Sequence, residues 1–460
     1  MEPRRRGRQG RGPGREEMGD RAARPLAGRS RFVFSEGNVK DMSTGVRVTG
    51  VVLAALVLGL ATSAFAAAGD GVRLGGSEGR LHPYLDLEGR YDSNVIYESP
   101  GQSKSDYILH FRPGVNLAVP GDTTEVKLDA ALDWAQYLQN TSLSRLYAQA
   151  TLGVGVNKKG IVGLELDDSF VRGNTTSTFT LGQAVISNLN TLTLGVPWRP
   201  GGGAMTVSAL GSWRVESFEP YFSGSICESA FIGPACDSTT LAKLGYNELQ
   251  GGAELRWRFL PKTAYILEGS YFDRIPDDKN YSAPASGVRF DTGAAGLITS
   301  KLAGTLKAGY GSTVGSTAAK FGTWLANVEL EWIPSELGSL KVGYVHDLGI
   351  DAGSTVIENV LYQVGRAYLS GKWLVGARYA LHLEGGWEER SYQAASATST
   401  LWRIEPGVEV SLTRWARIML AYAYTDRTSK NLEQILASPE SLPGYNYKKS
   451  ELWLRASLSY

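Results

Sequence analysis

The chain is poor in the residues that build most catalytic and metal centres. Among 460 residues there are only 2 cysteines and 4 histidines. Two thiols are too few for a disulfide-dense scaffold or a paired-thiol zinc site. His82, His110, His346 and His382 show no metal-ligand spacing, and neither a Gly-x-Ser-x-Gly elbow nor a phosphate-cradling glycine loop occurs. The run Asp277-Asp278-Lys279-Asn280 lacks the ligand spacing of a calcium loop. No cofactor, no metal and no enzymatic activity are therefore expected. Long apolar runs are also scarce: with mean hydropathy -0.16 and 20% charged residues, the chain does not supply a bundle of membrane helices, each about 20 apolar residues long. A large net charge is missing too. At +1, with 10% aromatics, the composition is not that of a disordered chain.

What is abundant is glycine (55), tyrosine (22) and tryptophan (11). Length alone suggests about three domains, but this composition points to one large all-β structure. Near the start, Met42, Arg47, the apolar run from Val51 to Ala61 and the triplet Ala64-Phe65-Ala66 have the layout of a signal peptide at 42–66, cleaved after Ala66. Residues 1–41 are an Arg/Gly-rich extension that buries no core, read as an artefact of start-site assignment rather than as a nucleic-acid-binding arm. No nucleic-acid partner is expected. Removing 66 residues, with their 12 Lys+Arg and 6 Asp+Glu, leaves a 394-residue acidic product of net charge -5. Residues 67–81 read as a periplasmic N-terminal segment and 82–460 as the folded body.

That body repeats one pattern. From 105 to 119, Tyr107, Leu109, Phe111, Val115, Leu117 and Val119 alternate with Asp106, His110, Arg112 and Asn116, which predicts a strand with one apolar and one wet face. Residues 124–136 repeat it. Comparable segments lie near 84–91, 145–156, 160–172, 187–198, 203–216, 243–259, 262–274, 287–299 and 302–313, then near 320–333, 338–348, 358–370, 373–385, 400–412, 414–427 and 449–460. Together they predict about 18 strands, an even number. Most exceed the about 5–6 residues usual in soluble sheets and reach the 9–11 that cross a membrane. Alternation is least clean over 287–299. Tight turns, such as Pro120-Gly121-Asp122 and Ser370-Gly371-Lys372, follow the even-numbered strands of this series, and longer links follow the odd ones. The pattern predicts a transmembrane antiparallel outer-membrane β-barrel with short periplasmic turns, long outer loops and both termini periplasmic. Trp198, Trp257, Trp332 and Trp373 fall at the turn ends, and Trp134, Trp213, Trp324 and Trp402 at the loop ends, as two aromatic belts would.

If the apolar face meets lipid, the other lines a lumen. Its predicted lining includes Arg112, Glu125, Lys127, Asp129, Asp133, Glu165, Glu254, Arg256, Arg258, Glu329, Glu331, Arg378, Glu384, Arg403, Glu405, Glu409 and Arg417. Charges of both signs suit a hydrated solute path, so a pore or an internally plugged barrel is expected. Cys227 and Cys236 share a long loop, where a disulfide is expected in an oxidising exterior. The final strand ends at Tyr460, and a terminal aromatic on an alternating strand looks like the signal read by barrel-assembly machinery.

The opening strand, Tyr84 to Tyr91, runs into Asp92-Ser93-Asn94-Val95. With an uninterrupted barrel to an aromatic terminus, this resembles a family of bacterial β-barrel porins associated with exopolysaccharide and capsule gene clusters. Tyr91, Asp92, Ser93, Asn94 and Val95 carry the motif-like part. The resemblance implies an outer-membrane exit port for polysaccharide. Its partners would be membrane lipid, the assembly machinery, periplasmic polysaccharide-export components and the polymer. A diffusion porin and a plugged structural or adhesive barrel are the alternatives.

Overall fold

The computed structural model describes residues 70–74, 78–175, 184–222, 237–314, 321–351, 361–393, 397–431 and 445–460. The extension 1–41, residues 42–66, read above as a signal peptide, and Cys227 and Cys236 lie outside them.

A two-residue strand, β1 (Val72–Arg73), precedes the barrel and pairs with Leu81 and Arg80. The wall then follows as β2 (Arg80–Asp92), β3 (Asp106–Val119), β4 (Thr124–Tyr137), β5 (Arg145–Val156), β6 (Leu164–Thr175), β7 (Val185–Trp198), β8 (Met205–Pro220), β9 (Tyr246–Leu260) and β10 (Thr263–Pro276). It continues as β11 (Ala285–Thr299), β12 (Leu302–Val314), β13 (Gly322–Ser335), β14 (Gly338–Ile350), β15 (Leu361–Val375), β16 (Tyr379–Tyr392), β17 (Thr398–Ser411), β18 (Ala416–Lys430) and β19 (Tyr447–Ser459). Each strand pairs antiparallel with its sequence neighbours, and β19 pairs with β2, so 18 strands close into a barrel. Closure leaves no sheet edge, as a wall in lipid requires, since no water is there to satisfy unpaired backbone groups. A short helix, α1 (Ser238–Lys243), precedes β9, with Asp237 capping it. Among the described residues no helix is long and apolar enough to cross a membrane.

The strand series agrees with the sequence pattern, with two corrections. The β15–β16 turn falls at Gly376–Arg378, not at Ser370-Gly371-Lys372: Ser370, Gly371 and Lys372 pair with Lys341, Leu340 and Ser339 on one side, and Gly376 supplies the positive φ of 68° that the real turn needs. Arg378 therefore sits in that turn and not on the strand's inner face. Second, the loop 393–397 is shorter than the turn 157–163, so the short/long alternation is a tendency and not a strict rule. The poor alternation near 287–299 has a local cause in Gly293-Ala294-Ala295-Gly296, small residues on both faces of β11.

The abundant glycine and tyrosine meet in the wall. Tyr84 lies opposite Gly114, Tyr368 opposite Gly343 and Tyr362 opposite Gly349. A β-carbon on any of these glycines would fall inside the facing ring, so the ring covers backbone that glycine leaves bare.

Candidate functional site: the charged inner wall

Alternation decides which side chains face the bore. On one face large apolar residues stand open, including Leu109, Phe111, Leu420, Leu452 and Leu454, and the eight belt tryptophans, 40% to 59% exposed. The other face is crowded with charges that are mostly covered by their neighbours, as the concave side of a closed barrel must be.

Opposite charges on this inner face recur two residues apart on the same strand. Glu88 meets Arg90 (2.6 Å), Arg214 meets Glu216 (2.8 Å), Glu254 meets Arg256 (3.3 Å), Glu388 meets Arg390 (2.7 Å), Arg403 meets Glu405 (2.6 Å) and Lys449 meets Glu451 (3.5 Å). Glu125 and Lys127 form a seventh such pair. Residues i and i+2 share a face about 6.7 Å apart, within reach of a long side chain, so each pair lies along the wall. Bonds between strands add to them: Asp133 accepts from Arg112 (2.6 Å) and from His110 (3.0 Å), Lys341 pairs with Glu329 (3.1 Å), and Tyr368 donates to Glu329 (2.5 Å).

The densest network lies where the first wall strand meets the last. Arg455 holds Glu88 (2.6 Å), Arg90 joins Glu88 to Glu451 (3.0 Å), and Lys449 joins Glu451 to Asp92 (2.8 Å). Just above it, the Ser93 N–H donates to the Ser450 carbonyl (3.0 Å), while the Ser450 N–H donates to the Ser93 hydroxyl (2.8 Å). Asn94 Nδ2 donates to the carbonyls of Lys448 (3.1 Å) and Glu98 (2.8 Å). The segment Tyr91–Val95 thus locks the two strands that no turn connects. At the other end of the seam, His82 Nδ1 donates to the terminal Tyr460 oxygen (3.1 Å), and the Tyr460 N–H donates to Pro83 (3.0 Å).

A family described as "Putative beta-barrel porin 2" matches residues 68–438. The chain belongs to this family. It is an outer-membrane β-barrel of porin type, and its association with membrane lipid follows from that fold. No curated protein matches. Similar solved structures include the copper transporter OprC, at 10% identity over 85% of this chain and 82% of that one, with a TM-score of 0.41. OccK2 (OpdF) of Pseudomonas aeruginosa shares 11% identity over 83% and 98% of the two chains, and OpdK of the same organism 12% over 83% and 99%, both at 0.41. At such scores they carry no functional weight.

In this porin-family wall, the residues singled out from sequence take up distinct places. Arg112 and Asp133 come together, as do Glu125 with Lys127, Glu254 with Arg256, and Arg403 with Glu405. Glu409 lies between His382 (3.8 Å) and Arg417 (4.0 Å). Glu165 approaches Arg199 at 3.8 Å, Asp129 accepts from Tyr84 (3.4 Å) and Asn116 (3.3 Å), and Glu384 lies opposite Glu405. Glu331 lies opposite Lys341 on β14. Arg258 stands at the turn end of β9 with its N–H bonded to Ala204 (2.7 Å). The sequence reading missed Glu88, Arg90, Lys449, Glu451 and Arg455. The same period-two rule marks them, but their importance depends on the first strand meeting the last. Asp278 spends its carboxylate on Asn280 (2.8 Å and 2.9 Å), and among the described residues no three His, Cys, Asp or Glu side chains cluster as a metal site.

Proposed function

We propose that this porin-family barrel is a passive outer-membrane channel whose cargo is a secreted exopolysaccharide. The observation that carries this reading is the charge-matched inner wall. Opposite charges two residues apart cancel at short range, so the wall presents many hydrogen-bonding groups with little net field. Such a surface suits a hydroxyl-rich polymer that must bind weakly and repeatedly to keep moving, more than it suits a selective ion path. In this reading Glu254, Arg256, Glu329, Arg403 and Glu405 are among the lumen-lining groups. The signal segment 42–66 directs export, both termini lie in the periplasm, Tyr460 is read by the assembly machinery, and periplasmic polysaccharide-export components deliver the polymer. The Cys227–Cys236 disulfide would stiffen an outer loop.

Deleting the gene and assaying surface polysaccharide tests this. Loss of surface polymer with intracellular or periplasmic accumulation is expected; normal export would sink the polysaccharide reading. A diffusion porin is the second reading, favoured by the family's description. Solute uptake into liposomes carrying the refolded barrel, with polymer export intact in the deletion strain, would select it.

A further inference from the structure

Segments that the wall holds far apart meet at the loop end. Tyr221 follows β8, yet its hydroxyl donates to the carbonyl of Val95, beyond β2 (2.9 Å), and meets the hydroxyl of Tyr137 at the end of β4 (3.2 Å). Six inter-strand steps separate β2 from β8, roughly 29 Å along the wall at about 4.8 Å each. Contact therefore requires both segments to lean across the mouth. Arg145 of β5 holds the Tyr221 carbonyl (2.5 Å). Tyr97 stacks edge-on against Tyr221 (6.3 Å) and against Tyr447, the first residue of β19 (5.2 Å). Its hydroxyl accepts from Asn174 of β6 (3.0 Å), and the Lys449 ammonium lies 4.5 Å from its ring centre. Val95, Ile96, Leu143, Ile186 and Phe222 fill this layer, all buried.

The opposite half of the mouth is built similarly. Arg274 of β10 donates to the Ile350 carbonyl at the end of β14, four strands away, and Arg289 of β11 donates to Leu348 (3.0 Å). Asp351 accepts from Tyr392 (2.7 Å) and faces Arg390 (3.5 Å). Burial pushes its carboxyl up, against the pull of Arg390, the Tyr392 hydroxyl, Arg274 and Arg427, so groups from β10, β16 and β18 converge on it. Tyr445 packs with Tyr362, Val364, Tyr392 and Ala397, and Leu361 with Ala283 and Ala285. Among the described residues, all four apolar clusters lie at the loop end. The charged pairs of the wall, by contrast, lie along the strands.

We propose that the constriction deciding what passes through this barrel is the loop-end layer, with Tyr97 and Tyr221 as its latch on the β2–β8 half and Asp351 as its anchor on the other. This rests on the channel reading. The latch is held by hydroxyl bonds of modest net strength, so it opens without unfolding the wall.

The test is planar-bilayer recording of the full refolded barrel, with the compact, heat-sensitive band on gels as the folding check. Y97F/Y221F removes the hydroxyl bonds and keeps the packing, and should raise open probability on the order of tenfold. Y97A/Y221A should also enlarge the conductance of each opening, whereas Leu420→Ala, on the outward apolar face of β18, should change neither. Folded latch variants that behave as wild type, beside a conducting wild type, overturn the constriction and leave the channel standing. A folded wild type and folded variants that are all silent overturn both.

Discussion

Gly343 has no room for any other residue, because the ring of Tyr368 lies where its β-carbon would be and the Tyr368 hydroxyl is committed to Glu329 (2.5 Å). Gly343→Val should push the ring off the wall, break that bond and cost about 1–3 kcal/mol, the usual range for overpacking. Urea unfolding of the refolded barrel would read it, and an unchanged midpoint would show that Tyr368 has another place to go. Glycine content was legible as a β signal. Which glycine each tyrosine covers was not, because the pairing depends on register.

Between strands, the seam has the most to lose. β2 and β19 have no turn to set their register, and the link between Lys449 and Asp92 is nearly buried, with side chains 9% and 3% exposed. Lys449→Met removes one partner of a buried pair and leaves Asp92 uncompensated, an expected loss of about 3–5 kcal/mol. A second substitution on the same strand separates the faces. Leu454→Arg places a cation in lipid and should cost about 2–4 kcal/mol if it sits at the midplane, whereas the neighbouring position 455 already carries an inward arginine held by Glu88 (2.6 Å). Equal stability of L454R and wild type in a lipid-refolding titration would mean that this face does not meet lipid. The period-two pattern made the two faces of the strands readable from sequence. It misplaced Arg378 because Ser370-Gly371-Lys372 has turn-like composition but pairs as strand, while the positive φ at Gly376 marks the actual reversal.

Over the whole molecule, charge is distributed along the axis. The eight short turns hold seven Lys or Arg and two Asp or Glu, whereas the nine long loops hold four Lys and nine Asp or Glu. An open channel with a basic rim at one end and an acidic rim at the other should rectify, passing unequal current at opposite voltages. The asymmetry should fade as salt rises, because screening shortens to about 3 Å at 1 M. A symmetric current–voltage curve at low salt would mean that the rims do not sense the conduction path.

The sequence by itself determined the strand count, the apolar and polar faces and the tryptophans at the strand ends, because each follows from a period of two and from the order of turns and loops. Only the tertiary structure decided how the wall closes and what crosses its mouth. The Asp92–Lys449 seam and the Tyr97–Tyr221 latch join residues hundreds or more than a hundred positions apart, and such contacts arise from the curvature and register of a closed sheet, which no local pattern encodes.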